Sequence, residues 1–201
     1  MTIITGSSNP RIRLIRALQG RKQRDTSGLF VVEGLFHIGE ALASGADVEF
    51  ICYAREGLRG AFAGDLLERA SAAGIPCLAT SPQVLAQISE KEHPQGLLAV
   101  VRQRRACLAD LSPANFGWGV ALVSPQDPGN VGAVLRTIDA VGASGLVLLD
   151  GGVDPYHPTA VRASMGALFW HPVVSVSFGE WRAWVQHHGY TVIGTSAHAE
   201  A

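Results

Sequence analysis

Two loops in the second half of the chain carry the residues that could do chemistry. The first runs from Ser124 to Arg136 and the second from Asp154 to Gly166, and both are rich in Gly, Pro and Arg. Each follows an apolar segment typical of a buried strand and leads into a segment typical of a helix. Because ligands collect at the carboxyl ends of strands in open α/β sheets, the two loops predict one functional site.

The residue types of the first loop favour the binding of an anion. Gly129 and Gly132 let the backbone approach a ligand closely, and Asn130 can cap the helix that follows. Arg136 lies one turn beyond Gly132 on the same helical face, where a guanidinium beside free helix amides suits a phosphate. The alternative interpretation is an ordinary capped loop followed by a solvated arginine.

The second loop adds another arginine and a serine to the predicted site. Pro155 and Pro158 stiffen the approach to a helix, and Arg162 and Ser164 fall in its early turns. In a purely structural interpretation, Ser164 only bonds back to the helix. Neither loop supplies a Cys-His pair, a carboxylate dyad or a metal-ligand cluster, so no metal is predicted. The predicted chemistry is anion handling and group transfer to a polar acceptor.

A dinucleotide-binding fingerprint is the competing interpretation of the first loop. Gly129 and Gly132 would approach a pyrophosphate, and Asp150 lies at about the right distance to bind the ribose. The match is weak, because the G-x-G spacing and the third glycine of the fingerprint are missing.

The elements that position both loops are predicted from hydrophobic periodicity and turn signals. Residues 118–201 alternate between strands and helices, as in an α/β fold. The predicted strands cover residues 120–123, 145–149, 173–176 and 191–194, and the predicted helices cover residues 131–141, 159–169 and 178–188.

A separate unit is predicted over residues 1–102, an α/β sandwich that ends at a linker over residues 103–117. Asn9 caps its first helix, Pro10 opens that helix, and Gly20 ends it. Further helices are predicted at 34–43, 61–73 and 82–89, and strands at 29–32, 48–53, 76–79 and 97–101.

Basic residues are concentrated near the N-terminus, although the net charge of the chain is only −1. Six of the 16 basic residues precede Asp25, namely Arg11, Arg13, Arg16, Arg21, Lys22 and Arg24. A second cluster comprises Arg102, Arg104 and Arg105. Local clusters of this kind determine where a polyanion docks, although each cluster is equally compatible with a solvated basic face.

Composition bounds the class of protein. With 47% hydrophobic and 16% charged residues, the 201-residue chain can bury a substantial core and does not resemble a disordered protein. Cys52, Cys77 and Cys107 are scattered without metal-ligand spacing, and Cys52 and Cys77 are expected to be buried. Neither a signal peptide nor an apolar run of membrane-spanning length is found, so we expect a cytoplasmic protein with no membrane partner.

Four segments, in order along the chain, resemble the SpoU (TrmH-like) RNA 2′-O-ribose methyltransferases of the SPOUT superfamily. Asn130, Gly132 and Arg136 match the first family motif, and residues 154–158 and 161–166 match the second. The segments that resemble the N-terminal domain and its junction are Asn9-Pro10, Lys22, Arg24, residues 30–34 and residues 93–100. The resemblance therefore covers nearly the whole chain.

The resemblance implies an N-terminal RNA substrate-binding domain followed by a SPOUT (α/β knot) methyltransferase domain over residues 118–201. It also implies methyl transfer from S-adenosyl-L-methionine to a ribose 2′-hydroxyl of ribosomal or transfer RNA. The family assigns activation of that hydroxyl to the arginine matched by Arg136. Because a guanidinium almost never deprotonates, we expect Arg136 to fix a phosphate and stabilise the developing alkoxide.

Further site residues follow from the same resemblance. Asn130 would orient Arg136 and the ribose, while Arg162 and Ser164 would line the acceptor site. Thr195, Ser196 and Ala197 resemble the first of the loops that wrap the cofactor. The RNA would be held through its phosphates by four N-terminal residues, namely Arg11, Arg13, Lys22 and Arg24.

The chain departs from the family in one respect. The third family motif, an Asn-Glu-Gly-x-Gly loop before a helix rich in Ser and Asn, is not found up to Ala201. We expect it to follow residue 201, so that the chain is a fragment of a longer enzyme that dimerises through its knotted domain. The alternative is a non-catalytic RNA-binding remnant of such an enzyme.

Overall fold

The computed structural model describes residues 3–58, 61–90 and 96–196, which form two β-sheets flanked by helices. The first part of the described chain contains α1 (Pro10–Ala17), α2 (Arg21–Ser27), β1 (Leu29–Glu33), α3 (Leu35–Ala43), β2 (Val48–Tyr53), α4 (Ala61–Ala72), β3 (Cys77–Ala79), α5 (Pro82–Ile88) and β4 (Leu97–Arg102). The second part contains β5 (Val120–Val123), α6 (Pro128–Val141), β6 (Leu146–Leu149), α7 (Pro158–Ala163), α8 (Ala167–Trp170), β7 (Val173–Val176) and α9 (Phe178–His188). Short 3-10 turns lie at Arg55–Gly57 and Leu108–Asp110.

The first sheet has the order β1-β4-β2-β3 and is covered on both faces. β4 pairs antiparallel with β1 and β2, while β3 runs parallel to β2. Alternate residues of a strand point to opposite faces, so Val31 packs with α1 and α5 while Phe30 and Val32 enter the larger core. The predicted α/β architecture of this part of the chain is confirmed.

The second sheet is parallel, with the order β5-β6-β7. Leu146 and Leu148 of β6 face the larger core with α6 and α8, while Val147 and Leu149 face a smaller cluster that includes Trp184 of α9. The larger core is continuous between the two sheets, because residues of β1, β4, α6 and α8 all belong to it. Because the two parts of the chain share this core, the structure does not separate them, and the division into two domains with a linker over residues 103–117 stays a prediction.

Local signals explain where several elements begin and end. The Asn9 side chain accepts a hydrogen bond from the Arg11 amide (2.9 Å), which confirms the predicted helix start. Ser177 and Glu180 form a capping box at the start of α9. None of the helices in the described ranges is long and apolar enough to cross a bilayer.

The helices of the structure differ from the predicted helices in two places. Helix α2 was not predicted, because its sequence is polar and lacks the apolar stripe from which an amphipathic helix is recognised. The single helix predicted over 159–169 is broken into α7 and α8, since Met165 and Gly166 adopt the left-handed conformation, with φ of 49° and 93°. This break ends α7 directly after Arg162 and Ala163.

The strand predicted over residues 191–194 is wrong. The residues are apolar enough for a strand, but a strand forms only where a neighbour pairs with its backbone. Among the described residues this segment has no strand partner and is exposed, with Ile193 at 86%. Thr195 and Ser196 continue the same irregular stretch, and Ala197 lies outside the described residues.

Candidate active site at the ends of the parallel strands

The first loop forms the start of α6 differently from the sequence-based prediction. Asp127, and not Asn130, caps this helix, because the Asp127 Oδ1 accepts a hydrogen bond from the Asn130 amide (3.0 Å). Pro128 occupies the first helical position, as its missing N–H allows. The Asn130 side chain therefore does not cap the helix, and it is exposed near the carboxyl end of β5.

Gly132 serves the packing of α6 against α7. A Cβ added to Gly132 would meet the Ala160 carbonyl oxygen and would lie 2.7 Å from the Ala163 Cβ and 2.9 Å from the Ser164 amide. The backbone of α6 at Gly132 therefore approaches a helix, and the close approach to a ligand that we predicted for Gly132 stays a prediction. Arg136 lies one turn further along the face that contacts α7.

Two guanidinium groups are presented by this helix pair. Arg136 on α6 and Arg162 on α7 are both exposed, and their helices pack directly against each other. The pair of predicted catalytic arginines is thus placed on two packed helices, and the exposed Asn130 lies in the first turn of one of them. Arginines on packed helices can hold a phosphate or a developing oxyanion, because a guanidinium keeps its charge and offers several donors.

The two loops are joined through their backbones. The Val153 amide donates a hydrogen bond to the Pro125 carbonyl (3.0 Å). Gly152 adopts a φ of 105°, and a Cβ there would lie 2.5 Å from the Pro125 oxygen. A larger residue at this position would therefore push the loops apart.

The second loop is organised around Asp154. Its Oδ1 accepts a hydrogen bond from the Tyr156 amide (2.8 Å), and its Oδ2 accepts one from the Arg24 Nε (2.6 Å). His157 then caps α7, because its Nδ1 accepts from the Thr159 amide (3.1 Å). These contacts fix where α7 begins and so where Arg162 lies.

Ser164 does not line an acceptor site in this structure. It is 0% exposed, and its Oγ donates a hydrogen bond to the Val161 carbonyl (2.8 Å). Because the chain turns away at Met165, this hydroxyl satisfies a carbonyl at the end of α7. The purely structural interpretation of Ser164 is the one that the structure supports.

Arg24 is the second correction among the predicted binding residues. It is 2% exposed and pairs with Asp154, so its side chain cannot reach an RNA phosphate. The other three predicted RNA-binding residues, Arg11, Arg13 and Lys22, are exposed. Their role in RNA binding stays a prediction.

Tyr156 and Cys52 are not reactive groups. Burial, reinforced by the negative charge of Asp154, raises the pKa of Tyr156 to about 12. The Tyr156 hydroxyl donates a hydrogen bond to the Arg104 carbonyl (2.7 Å), so this side chain is a neutral structural donor. Burial likewise raises the pKa of Cys52 to about 12, which agrees with its predicted role as a small buried hydrophobe.

Asp150 is engaged in structure at the position where a dinucleotide ribose would bind. Its Oδ1 accepts a hydrogen bond from the Phe178 amide (2.8 Å) at the start of α9. One oxygen of the only carboxylate proposed for that alternative is therefore already used. This observation weakens the dinucleotide interpretation further.

The N-terminal unit contacts the second loop through residues that sequence reasoning missed. Arg21 of α2 donates a hydrogen bond to the Gly152 carbonyl (2.8 Å), and the His37 Nε2 lies 3.2 Å from the Arg162 carbonyl. Arg162, His37 and Pro158 line a small groove where α7 packs against the first sheet. No local sequence signal indicates these contacts, because the paired residues lie 125 or more positions apart.

Comparison with known proteins assigns both parts of the chain to described families. Residues 118–201 match the SpoU rRNA Methylase family, and residues 9–99 match the MRM3-like substrate binding domain. The chain is 33% identical to the 23S rRNA (uridine(2479)-2'-O)-methyltransferase of Streptomyces viridochromogenes, covering 96% of the chain and 69% of that relative. It is 29% identical to the 23S rRNA (guanosine(2553)-2'-O)-methyltransferase RlmP of Bacillus subtilis, covering 98% and 74%.

Solved structures show the same likeness. An rRNA methyltransferase from Sinorhizobium meliloti superposes with a TM-score of 0.82 at 31% identity, over 93% of the chain and 70% of that structure. The SpoU methyltransferase AviRb from Streptomyces viridochromogenes, in complex with AdoMet, gives a TM-score of 0.78 at 32% identity over 89% and 68%.

Proposed function

Because this chain belongs to the SpoU rRNA methylase family, we propose that it transfers a methyl group from S-adenosyl-L-methionine to a ribose 2′-hydroxyl of ribosomal RNA. One observation carries the proposal: relatives named as 23S rRNA 2′-O-methyltransferases align over almost the entire chain. The exposed Asn130, Arg136 and Arg162 on the packed helices α6 and α7 are the residues that we propose to supply the chemistry of this reaction.

Arg136 is proposed to stabilise charge at the reacting oxygen. S-adenosyl-L-methionine, when bound, supplies an electrophilic methyl group. Negative charge develops on the 2′-oxygen as its proton passes to water, and that charge is consumed as the oxygen bonds to the methyl carbon and the carbon–sulfur bond breaks. The Arg136 guanidinium stays protonated, so it contributes N–H donors and positive charge where that charge develops.

Asn130 and Arg162 are proposed to orient the acceptor nucleotide. Asn130 stands in the first turn of α6, and long helical side chains such as Arg136 lean toward the start of their helix. We propose that both side chains contact the acceptor nucleotide, Asn130 from the start of α6 and Arg136 from the middle of that helix. Arg162 is proposed to bind the adjoining phosphate, since its helix is packed against α6 and its side chain is exposed.

Thr195 and Ser196 are the described residues that we propose to contact S-adenosyl-L-methionine. Both are exposed in an irregular stretch and do not form an enclosed pocket by themselves. Thr195 and Ser196 are therefore given no role in the proposed methyl transfer beyond contact with the cofactor. We further propose a cytoplasmic protein that dimerises as its family does; the free cysteines Cys52, Cys77 and Cys107 agree with a reducing compartment.

The proposed function is tested with the complete gene product and ribosomal RNA from a host strain that lacks the gene. We expect incorporation of labelled methyl groups from S-adenosyl-L-methionine at one nucleotide, whose 2′-O-methylation resists alkaline cleavage. Transfer RNA from the same strain is the control substrate. Salt-sensitive RNA binding without any transfer would instead favour a non-catalytic RNA-binding protein.

A further inference from the structure

We propose that helix α2 couples RNA binding by the N-terminal unit to the position of the second loop, with Arg24 and Asp154 as positioning residues. The proposal rests on the proposed function, because it takes RNA to be the substrate. One side of α2 would face the RNA, and the other side contacts the second loop. α2 follows α1 directly, carries Lys22 of the predicted phosphate-binding residues, and contacts the second loop through Arg21 and Arg24.

A buried ion pair forms the inner side of this connection. Arg24 and Asp154, which are 130 residues apart in sequence, are 2% and 7% exposed and meet at 2.6 Å. The Arg24 Nη1 also donates to the carbonyls of Leu18 (2.8 Å) and Gln19 (2.7 Å) at the end of α1. A single guanidinium therefore links α1, α2 and the second loop in one fixed geometry.

The geometry of the pair matters more than its contribution to stability. An apolar pair of similar volume often replaces a buried ion pair without loss of stability, whereas removing one partner leaves an uncompensated charge. A guanidinium–carboxylate pair also fixes the orientation of its two side chains relative to each other. Here it orients the Asp154 carboxylate, whose other oxygen accepts a hydrogen bond from the Tyr156 amide (2.8 Å) just before α7 begins.

The outer side of α2 is available to RNA. Arg21 and Lys22 are exposed, and Arg21 retains 58% side-chain exposure while it donates to the Gly152 carbonyl. Gly152 in turn contacts Pro125 of the first loop. A phosphate that binds Arg21 or Lys22 therefore binds the helix that contacts the second loop directly, through Gly152 and Asp154, and the first loop indirectly, through Gly152 and Pro125.

Three variants test the coupling. Asp154→Asn keeps an acceptor for the Tyr156 amide and removes the charge, Arg24→Met removes the guanidinium, and the double variant leaves a neutral pair. Asp47→Asn is the control, because Asp47, directly before β2, pairs at 3.0 Å with Arg102 at the end of β4, and both side chains are at least half exposed. Each protein is checked for folding by its melting temperature.

Two readouts separate positioning from folding. We expect Asp154→Asn to lower kcat for rRNA at least about tenfold with little change in KM, because a misplacement of about 1 Å costs on the order of 100-fold. We expect the double variant to regain part of the melting temperature that the single variants lose, because no unpaired charge stays buried, but not to regain kcat. Independently of activity, RNA binding should slow amide exchange over residues 151–157 in the wild type and the control, but not in the variants.

Specific outcomes would overturn the coupling. If the double variant regains kcat together with its melting temperature, the ion pair serves only the fold. If RNA binds the wild type without slowing amide exchange over residues 151–157, α2 does not couple RNA binding to the second loop. A wild-type protein that transfers no methyl group contradicts the proposed function instead, while the exchange measurement still decides the coupling.

Discussion

Gly132→Ala provides a sharp test of the site, because the structure and the sequence-based interpretation assign Gly132 different roles. The added Cβ would lie 2.7 Å from the Ala163 Cβ and 2.9 Å from the Ser164 amide, and it would also meet the Ala160 carbonyl. Ordinary carbon–carbon contacts lie at about 3.5–4.0 Å, so α6 and α7 must separate by roughly 1 Å. Overpacking of this kind costs about 1–3 kcal/mol.

The expected effect of Gly132→Ala is measured by thermal unfolding and by methyl transfer. For a chain of this size, the cost corresponds to a melting temperature lower by about 2–12 °C. Since Arg136 and Arg162 stand on the two helices that separate, kcat should fall by on the order of 100-fold. Affinity for RNA fragments that contact only the N-terminal unit should be unchanged.

Gly64→Ala is the matched control for this substitution. Gly64 lies inside α4, and a Cβ there meets nothing within 4 Å. Because alanine favours a helix interior over glycine, this variant should be more stable by about 0.5–1 kcal/mol with unchanged turnover. The helix-packing argument is refuted if Gly132→Ala melts like the wild type but loses activity, since a direct ligand contact would then explain the glycine.

Three further predictions address charge and pH. Arg136→Lys keeps the charge but loses the planar fork, so methyl transfer should fall far more than RNA affinity; equal losses in both would make Arg136 a simple binding residue. Lys22→Gln should lower the salt slope of RNA binding by about one, whereas Arg24→Met should leave that slope unchanged. Because the pKa of Tyr156 is raised to about 12 from 10, its contribution to stability is complete below pH 10 and is lost as pH rises toward 12; Tyr156→Phe should flatten that part of the melting profile.

Elements with local signals were predictable from the sequence. The strand Val120–Val123 and the helix Phe178–His188 have the predicted bounds, and the helix that begins at Pro10 is capped by Asn9 as expected. Each of these signals lies within a few residues of the element that it specifies. The placement of the two loops at one edge of a sheet follows from the same alternation of strands and helices.

Features that depend on distant partners were not predictable in the same way. α2 is polar throughout and is held by Arg24, whose partner Asp154 lies 130 residues away. The strand predicted over residues 191–194 has the right composition, but composition does not supply a neighbouring strand. The break requires a left-handed backbone at Met165, which an apolar residue rarely adopts, and the local pattern indicates it only through the neighbouring Gly166.

Ser164 shows how burial separates the structural from the catalytic members of one motif. Arg162 is exposed two positions earlier, whereas the Ser164 hydroxyl is enclosed and bonded to the Val161 carbonyl. Ser164→Ala leaves that buried carbonyl without its donor, so it should cost about 1–3 kcal/mol. Turnover should be retained at temperatures where the variant is folded.

Thr137→Ala is the comparison for that variant, because the Thr137 hydroxyl makes a similar bond to the Ala133 carbonyl (3.0 Å) on an exposed face of α6. Water can replace the lost donor there, so the melting temperature should barely change. A Ser164→Ala protein that melts like the wild type yet transfers no methyl group would mean that the hydroxyl reaches the acceptor during turnover.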